Sequence, residues 1–89
     1  MSVPIIKDFY ADWCGPCRMQ TPILEELKQK LGDKVEIQKI DVDTNGPLAT
    51  EYGIRVVPTL IIEKDGTLVQ RIEGVANLQT LESYLKPIL

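Results

Sequence analysis

No histidine occurs anywhere in the 89 residues. That excludes a Cys–His or Ser–His nucleophile pair and any metal site built on imidazole. Only two cysteines are present, so one chain cannot assemble a four-thiolate zinc or iron–sulfur centre, and no metal is expected. Long apolar runs are missing too: Val56 to Ile62 falls far short of a membrane span. The start Met1-Ser2-Val3-Pro4-Ile5-Ile6-Lys7-Asp8 has neither a basic n-region nor a long apolar h-region. A secretory signal is therefore not expected, and a cytoplasmic protein is. There is no basic excess. A net charge of −3 leaves no electrostatic footprint for nucleic acid or for an anionic membrane surface.

The chain also lacks repeats, low-complexity tracts and linkers. With 44% apolar and 26% charged residues, it has the composition of a soluble globular protein. Its length suits one small domain and not two, so residues 1–89 are expected to form a single monomeric unit.

Val3 to Phe9 is short, apolar and β-branched, the pattern of a buried strand. From Cys17 to Leu31, Cys17, Leu24, Leu27 and Leu31 fall at helical spacing, with Gly32 as a stop and Pro22 as an expected kink. Val35 to Asp41 reads as a second strand, with Val35, Ile37 and Lys39 on one face and Gln38 and Ile40 on the other. Thr44-Asn45-Gly46-Pro47 opens a short helix ending near Gly53. Thr59 to Glu63 and Leu68 to Ile72 are strands joined through Asp65-Gly66, a tight-hairpin signal. Asn77 caps a last helix with Leu78, Leu81, Leu85 and Ile88 in one stripe. The order is βαβαββα. A helical crossover makes the first two strands parallel, and the hairpin is antiparallel, so the expectation is an α/β fold around a mixed sheet.

Cys14 and Cys17 lie two residues apart in Trp13-Cys14-Gly15-Pro16-Cys17. As a structural staple, their disulfide would close a loop of about four residues, worth roughly 2 kcal/mol, and would be lost in a reducing cytosol. As half of a metal site, the pair lacks two ligands. As a redox pair it sits well, after a strand and a short loop and in the first turn of a helix. The thiolate is the nucleophile, and a free thiol with pKa near 8.5 is only slightly ionised at neutrality. At a helix N-terminus the unpaired N–H groups and macrodipole favour the anion by at most about 2 kcal/mol, or roughly 1.5 pKa units. A hydrogen bond from the Cys17 thiol would add to this. Cys14, first in the loop, is then the exposed attacker, and Cys17, one turn inward, resolves the mixed disulfide. Gly15 offers no side chain to obstruct a substrate. Pro16 lacks an N–H where the first turn leaves one unpaired and stiffens the loop.

The run Asp8-Phe9-Tyr10-Ala11-Asp12-Trp13-Cys14-Gly15-Pro16-Cys17, then Pro22, then Gly53-Ile54-Arg55-Val56-Val57-Pro58-Thr59-Leu60, closely resembles the thioredoxin family over essentially the whole chain. The resemblance implies a thioredoxin fold with a four-stranded sheet flanked by helices. It implies protein disulfide reduction through a redox-active Cys14–Cys17 disulfide, with no bound cofactor. Electrons would come indirectly from NADPH through a thioredoxin reductase, and the partners would be that reductase and disulfide-containing target proteins. Asp8 matches the family's buried acid, which takes a proton from the resolving thiol; on composition alone, a solvent-facing carboxylate is the commoner case. A buried carboxylate has a raised pKa and can act as a base near neutrality. Lys39 matches the lysine that neighbours this acid; the alternative is an exposed edge-strand lysine. Pro58 matches the family's cis-proline, which turns the Val57 backbone toward a bound peptide. Trp13, Val57, Pro58, Gly74 and Val75 match the apolar collar around the attacking sulfur.

The departures are informative. Full-length thioredoxins usually begin with an extra strand and helix, whereas this sequence starts at the central strand, as in short thioredoxin- or glutaredoxin-like forms. The second strand would then be an exposed edge, with Glu36, Lys39 and Asp41 discouraging edge pairing. Gly-Pro between the cysteines argues against glutaredoxin and glutathione use. Tyr10 stands where tryptophan is common, and Glu73 where an apolar residue is common. Three competing readings remain: a non-catalytic binding module, a disulfide oxidase or isomerase, and a glutathione-linked oxidoreductase.

Overall fold

Short β-branched runs alternating with amphipathic segments are realised as a four-stranded sheet with helices on both faces. The computed structural model describes residues 2–89. Its elements are β1 (Ile5–Tyr10), α1 (Gly15–Leu31), β2 (Glu36–Asp41), α2 (Gly46–Glu51), β3 (Thr59–Lys64), β4 (Thr67–Glu73) and α3 (Leu78–Leu85), with 3₁₀ turns at Gly32–Lys34 and Lys86–Ile88. The order is the expected βαβαββα. Among the described residues, no helix is long and apolar enough to cross a membrane.

The strands lie in the order β2-β1-β3-β4. β1 and β2 are parallel, with Ile6 opposite Ile37 and Asp8 opposite Lys39, as the α1 crossover requires. β3 runs antiparallel to both β1 and β4. The β3–β4 turn has Asp65 and Gly66 both at positive φ, 55° and 76°, which is the two-residue hairpin whose twist matches its strands.

Alternation along β1 sorts its side chains between two cores. Ile6 joins Leu60 and Ile62 on the face covered by α1 and α3, where Leu24, Leu27, Leu81 and Leu85 complete the main core. Fully burying each such leucine contributes about 1.5–3 kcal/mol. Phe9 faces the other way, into a smaller core with Ile40 and Ile61, against which Leu48, Tyr52 and Ile54 pack. Lys7 shares that second face, where its ammonium pairs with Glu63 at 3.0 Å and donates to the Tyr52 hydroxyl at 2.7 Å. Asp8 points toward α1, in line with Ile6, at the end of β1 nearest the cysteines. That places a carboxylate inside the molecule.

The helix ends follow their chemistry. α1 stops at Gly32, with φ +54°, whose N–H bonds to Lys28 O. Pro22 lies within α1, which continues through it although Pro22 cannot donate to the Arg18 carbonyl one turn back. Asn77 caps α3 by accepting the Thr80 N–H at 2.8 Å, as expected. Ile88 packs on the main core but sits in the closing 3₁₀ turn rather than in α3. α1 begins at Gly15, ahead of its apolar stripe, which puts Cys14 at the helix N-terminus and Pro16 in the first turn as expected; Pro at N2 loses no hydrogen bond.

Candidate active site

The start of α1 at Gly15 makes Cys14 its N-cap residue, with extended backbone angles of φ −94° and ψ 111°. Capping positions usually carry an oxygen that accepts from the first turn. Here a sulfur does so: Cys14 Sγ accepts the Cys17 N–H at 3.2 Å. Gly15 and Pro16 fill the first two helical positions between the cysteines. The cysteines form a disulfide with their Cα atoms 5.3 Å apart. Besides the Cys17 thiol expected as a donor, the structure supplies the Cys17 amide. A Cβ on Gly15 would meet no atom within 4 Å, so this position faces open space.

The loop before the helix is held by Arg18 Nη2, which donates to Asp12 O at 2.9 Å, and by the Cys14 N–H, which bonds to Ala11 O at 3.2 Å. Trp13 is 69% exposed, with its indole N–H donating to Asp43 Oδ2 at 3.0 Å. The Val57–Pro58 bond is cis, and Val57 O lies 3.6 Å from Cys14 Sγ. Pro58 O accepts the N–H of Gly74, whose φ of +91° favours a residue without a side chain. Val75, next in the chain, is an exposed apolar residue. Trp13, Ile54, Val56 and Val57 line a hollow of about 180 Å³. Of the expected collar, Val57 touches Cys14 Sγ through its carbonyl, and Pro58 is tied to Gly74.

One expectation needs correcting. Cys14 was expected to be the exposed sulfur, but both cysteines are only 4% exposed. They form a small buried cluster with Ala11, against which Tyr10, Val42 and Val57 pack. Joined as a disulfide, the sulfurs turn toward each other, and Tyr10, Val42 and Val57 pack over the cluster. What sets Cys14 apart in this state is its place at the capping position, beside Val57 O.

Asp8 is fully buried, so the solvent-facing alternative does not hold. Neither carboxylate oxygen has a hydrogen-bond partner. Removal from water raises its pKa from 3.8 to about 6, opposed by the positive charge of Lys39. Lys39 Nζ lies 4.0 Å from Asp8 Oδ2 and donates to Thr21 Oγ1 at 3.0 Å. It also sits 4.7 Å from the centre of the Tyr10 ring. The two readings of Lys39 are both correct: it is half-exposed on edge strand β2, and it neighbours the acid. A cavity of about 150 Å³ opens between Tyr10, Cys17, Thr21 and Lys39, bringing solvent to the Cys17 side of the site.

A family model described as thioredoxin matches residues 1–87. The chain belongs to the thioredoxin family. It is 47% identical over 81 residues to thioredoxin of Bacillus subtilis, covering 91% of this chain and 78% of the relative. It is 44% identical over 84 residues to thioredoxin 1 of Synechococcus elongatus, covering 94% and 78%. Among solved structures, Fasciola hepatica thioredoxin superposes with a TM-score of 0.87 at 38% identity, covering 98% of this chain and 82% of that one. A thioredoxin variant from Halobacterium salinarum gives the same TM-score at 40% identity, covering 96% and 74%. The relatives are disulfide oxidoreductases, and this thioredoxin-family chain carries the corresponding cysteine pair, joined as a disulfide.

Three residues around this thioredoxin site were not singled out from the sequence. Asp43 anchors the indole of Trp13, and Thr21 holds Lys39. Gln20 is fully buried on α1 and bonds twice to the backbone of Ala76. Gln20 did leave a signal: it is a polar residue at a vacant position of the stripe Cys17, Leu24, Leu27, Leu31.

Proposed function

We propose that this thioredoxin-family chain reduces disulfides of target proteins, with Cys14 as nucleophile and Cys17 as resolving thiol. The observation that carries this reading is the sulfur of Cys14 at the capping position of α1, taking the Cys17 N–H at 3.2 Å. A donor aimed at that sulfur, together with the helix N-terminus, stabilises a thiolate there more than at an isolated thiol.

In the dithiol form, the Cys14 thiolate attacks one sulfur of the target disulfide. A Cys14–target mixed disulfide forms, and the second target sulfur leaves as a thiolate, which takes a proton from solvent. Cys17 then gives up its proton and attacks Cys14 Sγ. The Cys14–Cys17 disulfide closes and the target leaves fully reduced, two electrons having passed from chain to target. Asp8, with a pKa near 6, is the proton acceptor for Cys17, water in the adjacent cavity carrying the proton. Lys39 tunes that acid by its charge. A target segment lies in the hollow beside Trp13 and pairs with the Val57 backbone as an added strand, between Pro58 and the Gly74-Val75 loop.

The disulfide left behind is reduced by a thioredoxin reductase drawing on NADPH, and the cycle runs in the cytoplasm, where targets and donor are kept reduced. The test is catalysis of insulin reduction by dithiothreitol, then turnover with NADPH plus thioredoxin reductase against turnover with glutathione. Acceleration, and turnover with the reductase, support the proposal. No acceleration would return the chain to a binding module, and preference for glutathione would replace the donor.

A further inference from the structure

Gln20 is a buried polar side chain near the cysteines that the disulfide exchange itself does not use. It is wholly enclosed on the inner face of α1, one turn beyond Cys17. Both of its polar atoms are spent on a single residue 56 positions away. Gln20 Nε2 donates to Ala76 O at 3.0 Å, and Gln20 Oε1 accepts the Ala76 N–H at 2.8 Å. A side-chain amide here makes the paired bonds that one strand makes to another. Two bonds to one residue fix its orientation as well as its distance, which a single bond does not.

Ala76 closes the loop that carries Gly74 and Val75. The loop's other end is tied through Gly74 N–H to Pro58 O at 2.9 Å, and the preceding Val57 O stands 3.6 Å from Cys14 Sγ. These hydrogen bonds, with the Cys14–Val57 contact, form a circuit. It runs from Cys14 across to Val57 and Pro58, to Gly74, along to Ala76, through Gln20 into α1, and back to the cysteines. Val75, 40% exposed, is displayed between the two tied residues. Packing alone would be met at lower desolvation cost by Leu or Met in this stripe. The amide adds a fixed connection between the helix carrying the sulfurs and the loop across from them.

We propose that Gln20 is a positioning residue for target docking, holding the Gly74-Val75 loop at the height where it meets a protein substrate. This rests on the disulfide-reductase reading above. A small disulfide needs only the Cys14 sulfur, whereas a protein segment must also seat against the loop. Gln20 thus controls selectivity for protein disulfides over small ones.

The experiment uses the full reduced chain and two variants, Gln20→Met, which keeps the volume, and Gln20→Asn, which keeps an amide one methylene too short for both bonds. KM and kcat for insulin are compared with the rate of reaction with 5,5′-dithiobis(2-nitrobenzoate). Each variant is expected to raise KM for insulin about five-fold, as loss of roughly one hydrogen bond's worth of docking energy implies. The rate with the small disulfide and kcat are expected to change less than about two-fold. An unchanged KM, or equal slowing on both disulfides, would overturn the inference and leave Gln20 a structural cap. If Gln20→Met does not fold, Gln20→Asn decides on the same criterion. A wild-type chain that does not reduce insulin would overturn the reductase reading and this inference with it; an active wild type with unaltered variants overturns the inference alone.

Discussion

Replacing Asp8 by Asn should stabilise the folded protein at neutral pH and leave it unchanged in acid. Asp8 is buried with no hydrogen-bond partner on either oxygen, and its pKa rises from 3.8 to about 6 on folding. Well below the unfolded value of 3.8 the carboxyl is protonated in both states and costs nothing extra. Between about pH 4 and 6 the unfolded chain gives up this proton while the folded chain keeps it, so stability falls as pH rises. Above the folded pKa both states are ionised and the loss is complete. About two pKa units at 1.36 kcal/mol each gives a loss of ~3 kcal/mol. Asn has nearly the same shape and no such titration, so Asp8→Asn should be ~3 kcal/mol more stable than wild type at pH 8 and roughly equal at pH 3.5. Urea unfolding of the oxidised proteins at both pH values measures this, and groups common to both chains cancel in the difference. A stability difference independent of pH would refute the reasoning, since it would mean that Asp8 ionises as easily inside the protein as outside.

The remaining tests probe the parts separately. Lys39→Met removes the charge that opposes the rise in the Asp8 pKa, so the Asp8 carboxyl should titrate above about 6 in a carbon NMR titration. The effect should be modest and weaken with salt, because the Lys39 side chain is 43% exposed. Cys17→Ser should accumulate mixed disulfides between Cys14 and target proteins, detectable by non-reducing electrophoresis; none from a lysate would undermine the division of roles. Asn77→Ala should cost about 1 kcal/mol in urea unfolding through loss of the α3 cap, without altering insulin reduction.

What was legible in the sequence depended on how local the determining interactions are. The hairpin at Asp65-Gly66 and the Asn77 cap are set within four residues, and both formed as expected. The start of α1 was legible although Gly15 and Pro16 are poor helix formers, because the first turn leaves its N–H groups unpaired and tolerates both. Antiparallel pairing of β1 with β3 depends on how the whole sheet assembles, which no local pattern encodes. Asp8 illustrates the limit of charge patterning. Its residue type argues for solvent, and only its resemblance to the family's buried acid placed it inside. Gln20 is harder still, because its partner Ala76 lies 56 residues away and its only local sign is a polar residue in an apolar stripe.

The central claim is that Cys14 is held as a reactive thiolate where the loop after β1 becomes α1. Alkylation of the reduced full-length chain by iodoacetamide across pH, with the modified residue identified by mass spectrometry, tests it most directly. Cys14 should react first, with its rate already substantial about a unit or more below the ~8.5 at which a free thiol is half ionised. Modification of Cys17 first, or a Cys14 rate that rises only where a free thiol's does, would contradict it.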